Sequence, residues 1–234
     1  MTDLMDSSRR RNLDQPSQTL TLLYMGDSIT YGQHLDPSLR WTSLVDARIR
    51  ESFTDIALLS FNSGVSGDTS RMALERFPSD AQDLAPAVAT LQFGLNDCNC
   101  WKTDRGLPRV SERAFVANLI EMVTRLRQFA TSEIILATNH RTLRRTTLPS
   151  GHVYEDANGR YSELIREAAF EAEATLCDVR EAFLPFDDRE LAELLLPYPD
   201  QLHLSAQGNS VYADAIWPFV LRAFETALSN ELAV

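Results

Sequence analysis

Leu20-Thr21-Leu22-Leu23-Tyr24-Met25-Gly26-Asp27-Ser28 is the stretch that decides the fold. Residues 20–25 form a short apolar run that stops at a glycine, the form of a buried strand running into a turn. Residues 56–61 and 87–93 have the same character, each followed by a polar, glycine-bearing segment. Residues 134–137 make a fourth run and 174–179 a weaker fifth. Between them apolar residues recur at helical spacing: Trp41, Leu44, Val45, Arg48 and Ile49; Phe115, Leu119, Met122, Val123 and Leu126; Leu164, Ile165, Ala168, Ala169 and Ala172. A last repeat, Val211 to Phe224, carries Pro218, which is expected to kink it.

Strands alternating with helices predict an α/β protein with a parallel sheet covered on both faces. Right-handed crossovers then give a flavodoxin-like three-layer sandwich of about five strands in the order 2-1-3-4-5, with ligands at the carboxyl ends of the strands. Residues 1–18 read as a mobile leader and 19–234 as a single domain. Residues 143–159 and 183–198, rich in turn signals or proline, are expected to be loops beside the site.

The chain has 234 residues, 44% of them apolar and 24% charged, which suits a globular protein with a sizeable core. Its formal charge of -11 argues against nucleic acid or an anionic membrane surface as the main partner. The basic run Arg141-Thr142-Leu143-Arg144-Arg145 is a local exception, a solvated loop or a contact for an anionic substrate or partner. Three cysteines, Cys98, Cys100 and Cys177, do not make a disulfide framework. The Cys98-x-Cys100 pair lacks the remaining ligands of a zinc site and reads as small side chains packed near a loop, within reach of a pocket. No apolar stretch approaches membrane-spanning length, and the basic run Arg9-Arg10-Arg11 is followed by polar residues rather than a signal core; a cytoplasmic location is the expectation.

Four clusters carry the chemistry: Gly26-Asp27-Ser28, Ser66-Gly67-Asp68-Thr69, Gly94-Leu95-Asn96-Asp97 and Asp200-Gln201-Leu202-His203. Together they supply a hydroxyl nucleophile, a base, an acid to orient the base, and donors for an oxyanion. Ser28 follows the first strand and could equally cap the next helix. Gly67 can present its N–H to a substrate oxygen or simply turn the chain, and Asn96 can donate its amide to that oxygen or bond its own loop. Asp200 and His203, three residues apart, can meet at one imidazole nitrogen while the other faces Ser28. Pairing with Asp200 is expected to push the pKa of His203 upward. His140, after the fourth strand, is the alternative base. The G-x-S-x-G elbow of another hydrolase fold is absent around Ser28.

On these four blocks the sequence resembles the SGNH hydrolases, also called GDSL esterases and lipases. The resemblance implies Ser28 as nucleophile, Asp200 and His203 as acid and base, and an oxyanion hole from the Ser28 N–H, the Gly67 N–H and the Asn96 side chain. It implies a serine-dependent esterase that uses neither metal nor organic cofactor and acts on a small-molecule acyl ester, carbohydrate O-acyl esters among the family's substrates. An acyltransferase or thioesterase with the same triad remains open. So does a flavodoxin-like module holding a phosphate at the start of the first helix, which leaves Asp200 and His203 without a role. The sequence does not define an oligomeric state.

Overall fold

In the computed structural model, which describes residues 18–231, β1 (Gln18–Gly26) lies between β2 (Ile56–Gly64) and β3 (Val88–Gln92). Next to β3 come β4 (Glu133–Ala137) and β5 (Thr175–Cys177), so the sheet order is 2-1-3-4-5. Every pairing is parallel, as expected. All five residues of β3 are buried, Thr90 and Gln92 included, as in a strand covered on both faces. The expected leader lies outside the described residues up to position 17, and Gln18 already opens β1.

Eight α-helices connect and cover the strands in the described residues: α1 (Ser28–Tyr31), α2 (Trp41–Ser52), α3 (Ser70–Phe77), α4 (Glu112–Gln128), α5 (Tyr154–Glu171), α6 (Val179–Phe183), α7 (Asp188–Leu194) and α8 (Ala206–Glu231). α2 packs on α8 and α4 packs on α3 and α5, forming helical layers on the two faces of the sheet. The helix α8 continues through Pro218. Among the described residues no helix is long and apolar enough to cross a membrane.

Trp41 ties the core to the site. It is fully buried, meets Tyr24 edge-on with ring centroids 5.1 Å apart, and donates its indole N–H to the Ile29 carbonyl at 3.0 Å. A short helix has little stability of its own, so this bond and the burial of Ile29 hold α1 in place. Truncating such a buried ring costs about 3–5 kcal/mol.

Two expected loops contain helices. Within 143–159, α5 begins at Tyr154, whose ring is buried and whose hydroxyl donates to the Leu95 carbonyl at 2.7 Å. The acidic Glu155 and Asp156 in its first turn favour that start, so Gly159 is an interior helix residue rather than a turn. Within 183–198, Asp187 and Glu190 form a reciprocal capping box that starts α7. The fifth strand is also shorter than expected, because Asp178 caps α6 immediately after Cys177.

Candidate active site

Gly26 closes β1 where no side chain fits: a Cβ would stand 2.2 Å from Thr30 Oγ1 and 2.7 Å from the Gln92 carbonyl. The chain therefore turns tightly and α1 begins at once. Asp27, not Ser28, is the cap, its Oδ1 accepting from the Ile29 N–H at 2.9 Å. Ser28, in the first turn, keeps its hydroxyl free of capping and its N–H without an acceptor inside the helix.

That hydroxyl lies 2.8 Å from His203 Nε2, and His203 Nδ1 lies 2.7 Å from Asp200 Oδ2. The other Asp200 oxygen accepts from the N–H groups of Leu202 and His203 at 2.9 and 2.7 Å. Burial raises the pKa of Asp200, but the His203 N–H, its imidazole and the Leu202 N–H outweigh burial and hold it below the ordinary carboxylate value. An ionised Asp200 accepts the Nδ1 proton, leaving the Nε2 lone pair to face Ser28.

The expectation for His203 is reversed. Burial lowers its pKa more than the bond and charge of Asp200 raise it, and the nearby His34 and Arg144 lower it further. His34 meets it edge-on, with centroids 5.5 Å apart. Net, His203 sits below the ordinary imidazole value.

Ser28, Gly67, Asn96 and His203 line one cleft of about 330 Å³, shared with Arg144 and Tyr154. Gly67 has φ +84, the left-handed region, and open space where a Cβ would be. Arg109 donates to its carbonyl at 3.0 Å. The Asn96 amide reaches Asp27 Oδ2 at 3.4 Å, and Gln92 Nε2 reaches the same oxygen at 3.4 Å. Asp27 is fully buried, and burial, with help from the charges of Asp97 and Asp68, raises its pKa to about 7.

The loop that carries Asp200 and His203 is held by two further side chains. His140 is fully buried and its Nε2–H donates to the Leu202 carbonyl at 2.8 Å; burial lowers its pKa to about 4. It supports the loop and does not line the cleft. Arg144 donates twice to the Asp200 carbonyl, at 3.2 and 2.9 Å. Cys98 and Cys100 are buried and line a separate cavity of about 400 Å³ beside Arg160 and Tyr161, away from Ser28. Sequence reasoning gave no work to Asp27 or Tyr154, and it named Arg144 only within a basic run that could be a solvated loop or meet an anionic substrate or partner. Asp27 stood inside the first cluster, and its place before Ser28 was the available signal.

His34, Asp200 and His203 also bring three ligand-type atoms within 4.8 Å of one another. Both imidazole nitrogens of His203 and Oδ2 of Asp200 are already engaged in the line to Ser28. That donor set is therefore accounted for without an ion.

A parallel α/β sheet that lines up a hydroxyl, an imidazole and a carboxylate at the carboxyl ends of its strands defines a class of three-layer proteins. The sequence profile of the GDSL-like Lipase/Acylhydrolase family matches residues 24–211, and the chain belongs to that family. Esterase TesA of Pseudomonas aeruginosa is 30% identical over 124 residues, 53% of this chain and 57% of that protein. The arylesterase of Vibrio mimicus is 24% identical over 115 residues, 49% and 52% of the two chains. The chain thus spans about half the length of the curated relatives it matches. Among solved structures, a lipase/acylhydrolase from Enterococcus faecalis superposes with TM-score 0.68 at 22% identity, covering 86% of this chain and 95% of that one. The acetylxylan esterase Axe2 of Geobacillus stearothermophilus gives 0.66 at 22%, covering 87% and 93%. At these identities the structural likeness is one of fold.

Proposed function

We propose that the protein is a serine-dependent carboxylic ester hydrolase acting on a small acyl ester. The observation that carries this reading is the unbroken line Ser28 Oγ, His203 Nε2, His203 Nδ1, Asp200 Oδ2, with contacts of 2.8 and 2.7 Å. His203 takes the Ser28 proton as the oxygen attacks the ester carbonyl. The tetrahedral oxyanion receives the N–H groups of Ser28 and Gly67 and the Asn96 amide. Collapse expels the alcohol, which leaves with the proton from His203. A water, deprotonated by the same imidazole, then attacks the acyl-serine, releases the acid and restores Ser28. No step calls for a metal or an organic cofactor.

The names of the relatives, esterase, arylesterase and acetylxylan esterase, support ester chemistry and leave the acyl and alcohol groups open. Transfer to another acceptor, or hydrolysis of a thioester, uses the same residues; a thioesterase 1/protease 1/lysophospholipase L1 of Escherichia coli is among the relatives, 32% identical over 77 residues. The phosphate-module reading leaves Asp200 and His203 without a role, and the Asp27 side chain already accepts from the Ile29 N–H at the start of α1.

Labelling with a fluorophosphonate probe tests the reading. A covalent adduct that forms on the native protein and is missing from Ser28→Ala supports it. A native protein that does not label, or a Ser28→Ala variant that labels equally, refutes it.

A further inference from the structure

Building on the ester-hydrolase reading of this cleft, we infer that its substrate carries an anionic group, a carboxylate or phosphate, bound by Arg144. The basic run divides its work unequally. Arg141 donates to the carbonyls of Phe183 and Phe186 at 3.3 and 2.7 Å and pairs with Asp188 at 3.4 Å. Arg145 pairs with the same carboxylate at 3.5 Å. Arg144 alone of the three has no carboxylate partner among the described residues, and it is the one that lines the cleft with Ser28.

Its guanidinium is held ready for a ligand. Nε and Nη2 are fixed on the Asp200 carbonyl, and the group lies 5.4 Å from the centroid of the Tyr154 ring. Nη1 makes no hydrogen bond within the described residues, so one edge of a planar, pre-oriented donor is open. Among the described residues no aspartate or glutamate lines the cleft, although the chain as a whole carries a charge of -11. Arg144 is therefore the one arginine, lysine, aspartate or glutamate that lines the cleft among the described residues.

This placement also has a cost that a bound anion removes. The positive charge of Arg144 opposes protonation of His203, the event that accompanies attack by Ser28. An anion on Nη1 neutralises that charge as substrate binds, so the imidazole becomes a stronger base when it is needed. A guanidinium serving only as a strap on the Asp200 carbonyl gives no such dependence on the charge of the substrate.

The test compares charged and neutral esters of matched shape. On the acyl side the pair is monoethyl adipate and ethyl hexanoate; on the alcohol side it is 4-acetoxybenzoate and 4-acetoxybenzamide. In the native enzyme kcat/KM is expected to favour the anionic member of one pair, which also says on which side the anion sits. Arg144→Gln, which keeps a donor for the Asp200 carbonyl, lowers turnover of both members but reduces that preference by about tenfold or more. Arg144→Lys retains part of it. Equal losses for both members in Arg144→Gln, or a native preference for the neutral member in both pairs, would overturn the inference while leaving the hydrolase reading in place. Failure of the native protein to label with the fluorophosphonate probe would remove the hydrolase reading, and the inference with it.

Discussion

Replacing Asp27 by asparagine should make the protein more stable with rising pH, relative to the native chain, while making the proposed enzyme slower. Asp27 is fully buried, and burial raises its pKa to about 7, against roughly 4 for an ordinary carboxylate. Between those values the folded state holds a proton that the unfolded chain has released. Native stability is therefore unpenalised below about pH 4, falls as pH rises toward 7, and levels off above. From pH 5 to pH 8 the loss amounts to about 2.5 kcal/mol for a folded value of about 7. The substituted asparagine does not titrate and still accepts the Ile29 N–H, because asparagine caps helices as well as aspartate does. Any constant offset from its amide facing Gln92 and Asn96 cancels when two pH values are compared. Urea unfolding of both proteins at pH 5 and pH 8 reads the difference directly. The variant should gain about 2.5 kcal/mol on the native protein over that interval. A gap that stays constant or narrows would show that Asp27 is not a buried carboxylate with a raised pKa. In the same variant kcat should fall, since Asn96 loses the carboxylate that receives its amide.

Ser28→Ala should abolish ester turnover and leave the thermal melting temperature close to native, because a small hydroxyl at the cleft contributes little packing; residual native-level hydrolysis would refute the nucleophile. Asn96→Ala should lower kcat by roughly 10²-fold or more with a smaller change in KM; a change confined to KM would move Asn96 to ground-state binding. The His203 step in the acid limb of kcat/KM should fall below the ordinary histidine value of ~6.5, since burial outweighs Asp200 at His203, and it should be read alone in Asp27→Asn, which lacks the higher step set by Asp27. Asp200→Asn should move that limb further down, because it removes the bond and charge that raise His203, and should cut the rate by freeing the tautomer; an upward shift would place the base elsewhere.

The sheet was legible because the strands carry mostly apolar runs that end at a turn, clearest in β1 and β4, and parallel strands leave this mark on their own sequence. The first cluster was legible for a local reason too: Gly26 is required by contacts of 2.2 and 2.7 Å, so the tight turn that brings Ser28 to the cleft is encoded at one position. The helices α5 and α7 were hidden by their own polar residues. Asp187 with Glu190 starts a helix, yet among prolines and acids the same pair looks like a loop. The direction of the His203 shift was illegible for a different reason. Its partner, Asp200, is three residues away in sequence, whereas the burial that outweighs it comes from remote parts of the chain.

Two carboxylates flank this site, and their surroundings push them apart. Asp200 receives three hydrogen bonds of 2.7 to 2.9 Å and is held below the ordinary carboxylate value; Asp27, fully buried, receives one of 2.9 Å and two of 3.4 Å and has a raised pKa. Their jobs differ accordingly. Asp200 must be an anion throughout the working range, because it fixes the proton on His203 Nδ1. Asp27 acts on Asn96, and its hold on that amide strengthens as it ionises, since an anionic acceptor bonds more strongly than a neutral acid. On the proposed mechanism, rising pH thus does two things in the same direction: it frees the His203 lone pair, and it firms the hold on the Asn96 amide proposed to meet the oxyanion. The acid limb of the native protein is then the product of two titrations, with the Asp27 step the higher. In Asp27→Asn only the His203 step remains, so the limb becomes a single ionisation displaced to lower pH. A limb of unchanged shape and midpoint in that variant would sever Asp27 from Asn96 and leave the carboxylate as a helix cap alone.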